Sequence, residues 1–149
     1  MPIIQATPKN LVPLASLFDA YRIFYRKESN VHAAMEFLSD RLTQHDSVIY
    51  IALSETGSII GFVQLYPLFS STRMKKLWML NDLFVMPEFR GQGVSKALIE
   101  AAKSLAIKTN SCGLLLETEK SNAVANALYI NTGFALDNDH NYYSWEVVS

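Results

Sequence analysis

The chain has 149 residues, half of them hydrophobic and 18% charged, with a formal net charge of −1. That size fits one domain with a core of its own, and the near-neutral balance excludes nucleic acid as a bulk electrostatic partner. A lone cysteine, Cys112, excludes an intrachain disulfide and suits a reducing compartment. The opening residues MPIIQATPKN lack the basic-then-apolar order of a signal peptide, and no apolar run approaches the roughly 18 residues that span a bilayer. The expectation is one domain over residues 1–149, cytoplasmic and without a membrane partner.

Residues 2–6 (PIIQA) read as a first strand. Asn10 is suited to cap a helix whose Leu11, Leu14, Phe18, Tyr21 and Tyr25 share one face, with Pro13 in the first turn, where N–H groups have no intrahelical partner. A second helix follows Asn30, with Val31, Ala34, Met35, Leu38 and Leu42 in register. SVIYIALSE and SIIGFVQLYPLF flank Glu55-Thr56-Gly57 and predict a hairpin. Residues 76–86 form a third, mostly buried run. A glycine corner comes next, then a helix with Val94, Ala97, Leu98, Ala101 and Leu105 at helical spacing. CGLLLET predicts a short buried strand. A helix starting at Ser121 or Asn122 should stop at Gly133, a natural residue just past a helix end. NYYSWEVV reads as a last strand. The order predicts an α/β domain: a mixed sheet covered by helices, with a strand–helix–strand crossover in its second half.

The corner, Arg90-Gly91-Gln92-Gly93-Val94-Ser95, lies between a buried strand and a helix start. A helix N-terminus carries unpaired N–H donors and partial positive charge, so it holds a phosphate wherever the backbone comes close enough. Gly91 and Gly93 remove the side chains that would block that approach. Arg90 either adds fixed positive charge or anchors the loop. The pattern is a candidate diphosphate cradle, and equally a glycine turn with nothing bound. Walker and Rossmann loops fit poorly: no Gly-Lys-Ser/Thr follows at the right spacing, and Lys96 stands where a third glycine would.

Downstream, NAVANALYINTGF runs from Asn122 to Phe134. With this second element the sequence resembles the GCN5-related N-acetyltransferase (GNAT) family. The family's coenzyme loop, Gln/Arg-x-x-Gly-x-Gly/Ala, is matched by Arg90, Gly93 and, as a departure, Ser95. Its later helix, Asn-x-x-Ala-x-x-x-Tyr-x-x-x-Gly-Phe, is matched by Asn122, Ala125, Tyr129, Gly133 and Phe134. LNDLFVMPEFRGQG looks most like the polyamine and Hpa2-like branch. The strong matches cover residues 80–134. The resemblance implies a mixed, mostly antiparallel sheet with a splayed cleft between two central strands. It also implies transfer of an acetyl group from acetyl-CoA, as cosubstrate, to a primary amine: a small amine, a polyamine or an amino acid. Attack is direct, within a ternary complex. Many family members are homodimers; no residue here specifies one.

By this resemblance the backbone of Leu83, Phe84 and Val85 serves the thioester carbonyl and pantetheine, the carbonyl oxygen needing an aimed N–H donor as charge develops on it. Arg90, Gly91, Gln92, Gly93, Val94, Ser95 and Lys96 form the phosphate loop, and Asn122 and Asn126, one turn apart, face the pantetheine amides or simply cap their helix. Tyr129 matches the residue that protonates the leaving thiolate; the bland alternative is a tyrosine packed on the sheet. Asp82 matches an acidic position of the branch, where it binds the amine, takes its proton directly or through water, or simply holds a loop. Asn81 stands where related enzymes carry glutamate. That departure favours the alternative of a non-catalytic acetyl-CoA-binding sensor or interaction module. Because strand neighbours face opposite ways, Asn81 and Asp82 point to one side only if a bulge intervenes. Glu117 and Glu119 share a face by spacing, or are surface charges at a strand end.

The remaining signals are weaker. Asp137 to Asn141 resembles a calcium loop, but Tyr142 and Val148 replace its glycine and its last glutamate. His32, His45 and His140 have no metal-ligand spacing, so no metal is expected. Cys112 reads as an inert thiol. On the first helix Tyr21 and Tyr25 suit an alkylammonium through cation–π contact, whereas Arg22 and Arg26 suit an acidic acceptor.

Overall fold

The computed structural model describes residues 1–148, which group into two compact units, Met1–Glu117 and Thr118–Ser149. The first unit is built on a sheet whose strands lie in sequence order: β1 (Ile3–Gln5), β2 (Val48–Leu53), β3 (Ile59–Ser70), β4 (Lys75–Val85) and β5 (Leu114–Leu115). Neighbours from β1 to β4 pair antiparallel, and β5 pairs parallel to β4. The parallel pair needs a crossover, which the helix α3 (Val94–Lys108) supplies. Two further helices, α1 (Leu11–Phe24) and α2 (Val31–Gln44), precede the hairpin of β2 and β3.

Alternation along the strands divides the core between two faces. Ile49, Ile51, Phe62 and Phe84 pack with Leu14, Leu17 and Phe18 of α1 and Ala34 and Leu38 of α2. On the opposite face, Trp78 of β4 donates its indole N–H to Thr109 Oγ1 just past α3 (3.0 Å). The turn joining β2 to β3 closes at Gly57, and Ser54 N–H donates to Ser58 C=O (2.8 Å).

Asp19 fixes the link between α1 and α2. Its carboxylate is buried and accepts from Ser29 Oγ and Asn30 N–H, both at 2.7 Å. These two hydrogen bonds hold the carboxyl below its usual range. Asn30 caps α2, accepting from Ala33 N–H at 3.0 Å. Asn10 behaves differently from the sequence expectation. Its Oδ1 turns back to accept from Thr7 N–H (2.9 Å), so it closes the short 3-10 turn Pro8–Asn10 rather than capping α1.

In the second unit, the helix α4 (Ala123–Asn131) starts at Asn122, whose side chain accepts from Ala125 N–H (3.1 Å). It ends as expected, with Gly133 in the left-handed region at φ 98°. The last strand expected at NYYSWEVV does not form. Residues 141–148 adopt neither helix nor strand, and Tyr142, Tyr143, Trp145, Val147 and Val148 are exposed. Alternating residues make a strand only when a neighbouring backbone offers a ladder, and no strand of the second unit does so among the described residues.

Candidate active site

The corner after β4 has the local structure of an anion cradle. Gly93 stands at the N-cap of α3 in the left-handed region (φ 82°), and Gly91 has φ 77°. A Cβ built at either glycine meets nothing within 4 Å, so the space before the helix is open. The first intrahelical bond is Ala97 N–H to Gly93 C=O (3.1 Å), which leaves Val94, Ser95 and Lys96 N–H groups without an intrahelical partner. No side chain caps them, and the first turn carries no acidic residue. Uncompensated donors and an unopposed positive helix end are what a diphosphate requires. The residues present therefore fit the phosphates of a coenzyme such as CoA. Gln92 and Lys96 are exposed, and Ser95 is half-buried.

Arg90 is an anchor. Its Nε donates to Val85 C=O (2.9 Å), and its guanidinium lies 5.3 Å from the ring centres of both Phe24 and Phe84. The sequence left charge and anchorage open; the geometry supplies the second. This contact ties the loop to the end of β4 and to the last turn of α1.

The β4 backbone opens beside that loop. Met86 N–H donates to Ile60 C=O (2.9 Å), and Phe84 pairs with Phe62. Antiparallel alternation then turns the backbone groups of Phe84 toward β3 and those of Leu83 and Val85 toward the other edge. Along that edge β5 pairs only with Trp78 and Met79. Beyond this point no strand pairs with β4 on that side among the described residues, so the backbone of Leu83 and Val85 lies on an open edge. Glu117 and Glu119 lie past the end of β5, so they do not share a strand face.

On the α1/α2 face the sheet carries a buried polar cluster. Gln64 lies opposite Asp82, but Leu65 lies opposite Leu80, so β4 has one extra residue, Asn81. This bulge brings Asn81 and Asp82 together, with Asn81 Nδ2 donating to Asp82 Oδ1 (3.2 Å). Gln64 Nε2 donates to Asp82 Oδ2 (2.8 Å), and Ser47 Oγ donates to Gln64 Oε1 (2.9 Å). Tyr66 shares this face of β3, and burial, then the charge of Asp82, push its phenol up to about 12. It is therefore a neutral hydroxyl at physiological pH. Rings of Tyr21, Phe24 and Tyr25 gather nearby around Phe84 and Phe62, with centroids 5.2 to 6.0 Å apart. Sequence reading found Asp82 but missed Ser47, Gln64 and Tyr66. A signal was present: Gln64 is a polar residue inside the otherwise apolar run IIGFVQLY, in phase with Phe62 and Tyr66.

In the second unit, Asn126 Nδ2 donates to the carbonyls of Asn122 (2.8 Å) and Glu119 (3.0 Å), which leaves its Oδ1 as the remaining acceptor. Tyr129 is half-buried, and its ring meets that of Phe134 edge-on at 5.6 Å.

Comparison with known proteins matches residues 14–134 to the model of the acetyltransferase (GNAT) family. The chain belongs to the GNAT family of acetyltransferases. It is 44% identical over 147 residues to an uncharacterized N-acetyltransferase, YhfO, of Bacillus subtilis, covering 99% of this chain and 98% of the relative. A solved probable acetyltransferase superposes with a TM-score of 0.95 at 39% identity, over 100% of this chain and 99% of the other. An aminoglycoside N-acetyltransferase solved in complex with CoA shares the fold, with a TM-score of 0.81 at 20% identity, over 98% of this chain and 95% of that one. The GNAT acetyltransferase is an enzyme with a five-stranded, mostly antiparallel open sheet flanked by helices. Among the described residues, no helix is long and apolar enough to cross a membrane.

Proposed function

We propose that this GNAT enzyme moves the acetyl group of acetyl-CoA to a primary amine on a small molecule, by direct attack in a ternary complex. The carrying observation is the uncapped, acid-free start of α3 behind the open corner at Gly93. Acetyl-CoA supplies an acetyl group already activated as a thioester. In this reading the N–H groups of Val94, Ser95 and Lys96 take the phosphates, while Arg90 holds the loop in shape from behind. Leu83 and Val85 offer backbone groups along the open edge of β4, where an N–H stabilises charge on a carbonyl oxygen. Asp82 faces the α1/α2 side, binds the ammonium form of the acceptor and relays its proton away. Tyr129 gives a proton to the departing thiolate, a role that rests on its helix motif. The CoA complex of the aminoglycoside enzyme supports the choice of cosubstrate and of an amine acceptor.

The aromatic wall of Tyr21, Phe24 and Tyr25 favours an acceptor bearing an alkylammonium. Arg22 does not oppose this, because its Nη1 donates to Glu28 C=O (3.1 Å) and approaches Asp19 (4.0 Å). The test is calorimetric binding of CoA together with free-thiol release from acetyl-CoA across diamines, amino acids and aminoglycosides. CoA binding with amine-dependent thiol release is expected. Binding without turnover on any amine would leave a coenzyme-binding module, and no binding would remove the cradle.

A further inference from the structure

Asp82 is only 6% exposed, and among the described residues no lysine or arginine pairs with it. Two neutral amide groups hold it instead, one on each carboxylate oxygen: Asn81 on Oδ1 and Gln64 on Oδ2. Desolvating a carboxylate without a counter-charge is costly, and hydrogen bonds offset only part of the cost. The cluster therefore has one unmet electrostatic demand, a cation.

Gln64 is fully buried, and both ends of its amide are engaged. Its carbonyl accepts only, so Ser47 must donate to it; its NH2 then faces Asp82. Turning the amide over would set a carbonyl oxygen against a carboxylate oxygen, while the Ser47 hydroxyl would serve either orientation. The acceptor-only carboxylate of Asp82 thus fixes the amide orientation, and Ser47 donates to the carbonyl that this leaves facing it. Gln64 in turn fixes Asp82 Oδ2 from the strand directly opposite, across the bulge that carries Asn81.

We infer that Gln64 is a positioning residue, its amide braced by Ser47 so that the Asp82 carboxylate is held ready for an ammonium-bearing acceptor. The inference rests on the proposed amine acetylation, but its geometric half stands apart from it. Gln64 touches no reacting atom; it acts through Asp82. Asn81, exposed at the bulge, is the weaker of the two tethers at 3.2 Å.

The test combines structure and kinetics in Gln64→Leu, Gln64→Asn, Asp82→Asn and the Gln64→Leu/Asp82→Asn double variant. Crystal structures of wild type and Gln64→Leu read the geometric half without any activity. Rotation of the Asp82 carboxylate in Gln64→Leu is expected, and an unmoved carboxylate overturns the inference. Kinetics use acetyl-CoA with 1,4-diaminobutane, L-lysine and kanamycin, taking whichever wild type turns over fastest. Gln64→Leu should lower amine kcat/KM about 10- to 100-fold with the acetyl-CoA KM unchanged, and should add nothing once Asp82 is Asn. Additive losses, or equal losses toward both substrates, would make Gln64 a packing residue and overturn the inference. Gln64→Asn, one methylene too short to reach, should behave like Gln64→Leu; wild-type kinetics in Gln64→Asn would overturn it as well. If wild type acetylates none of the three amines, the proposed acceptor class fails, while the crystal structures still decide the role of Gln64.

Discussion

Phe134 N–H donates to Tyr129 C=O (3.0 Å), and the two rings meet edge-on at 73°. Gly133 N–H donates to Ile130 C=O (3.2 Å) in the same turn. Together these are the paired hydrogen bonds and the apolar contact that close a helix on a left-handed residue. The spacing Tyr-x-x-x-Gly-Phe therefore has a physical cause independent of catalysis: it ends α4 and clamps the tyrosine's ring.

Because the ring and not the hydroxyl makes that clamp, Tyr129→Phe should leave the helix end intact. Its kcat should fall ~10- to 100-fold, the low end for general acid catalysis, since a thiol near 8.5 is a fair leaving group. The acetyl-CoA KM should not change. Steady-state kinetics with both substrates varied decides this; a raised acetyl-CoA KM at constant kcat would mark a binding residue instead.

Gly93→Ala should weaken CoA binding. A side chain at φ 82° strains the backbone by ~1–2 kcal/mol, and its Cβ projects into the open space before α3. Calorimetry should show a Kd raised about tenfold or more, with the fold retained by circular dichroism. Undiminished affinity would place the phosphates elsewhere.

Arg90→Lys should fail to restore what Arg90→Leu removes. Lysine keeps the charge but lacks both the Nε–H that reaches Val85 C=O and the flat group that stacks on Phe24 and Phe84. Both variants should raise the CoA Kd and lower Tm to similar degrees. Full rescue by lysine would return Arg90 to a purely electrostatic role.

Asp19 links stability to pH. Its folded-state carboxyl is held low by Ser29, then by Asn30. The unfolded chain therefore binds this proton more readily, and the contribution is complete above the unfolded value of about 3.9. It disappears as pH falls through the lower folded value. Denaturant unfolding should find Asp19→Asn less stable than wild type at pH 7, with the gap narrowing by pH 3. A constant gap would mean that shape rather than charge is responsible.

Most elements of the first unit were legible because each is marked locally. Asn30 caps α2, Gly57 turns the hairpin, and apolar residues repeat at helical spacing in α3. The glycine corner before α3 was legible for the same reason, being one continuous stretch from Arg90 to Lys96. What escaped depends on partners distant in sequence. Asn10 has the residue type of a cap, yet Thr7 claims it. NYYSWEVV has the alternation of a strand, yet pairing is a property of two segments. Gln64 serves Asp82 from 18 positions away, and spacing along one strand does not reveal what stands across from it.

The extra residue at Asn81 has a consequence for sequence change in this region. Before it, even-numbered residues of β4 such as Trp78 turn toward α3; after it, Asp82 and Phe84 turn toward α1 and α2. The insertion works as a parity switch. Excising that single asparagine would join Leu80 directly to Asp82 and leave both on their present faces, since they already lie opposite the neighbours Leu65 and Gln64; the loss would be the tether on Asp82 Oδ1. The sheet can thus carry a one-codon deletion here, whereas the loss of any regularly paired residue of β4 would turn the rest of the strand over.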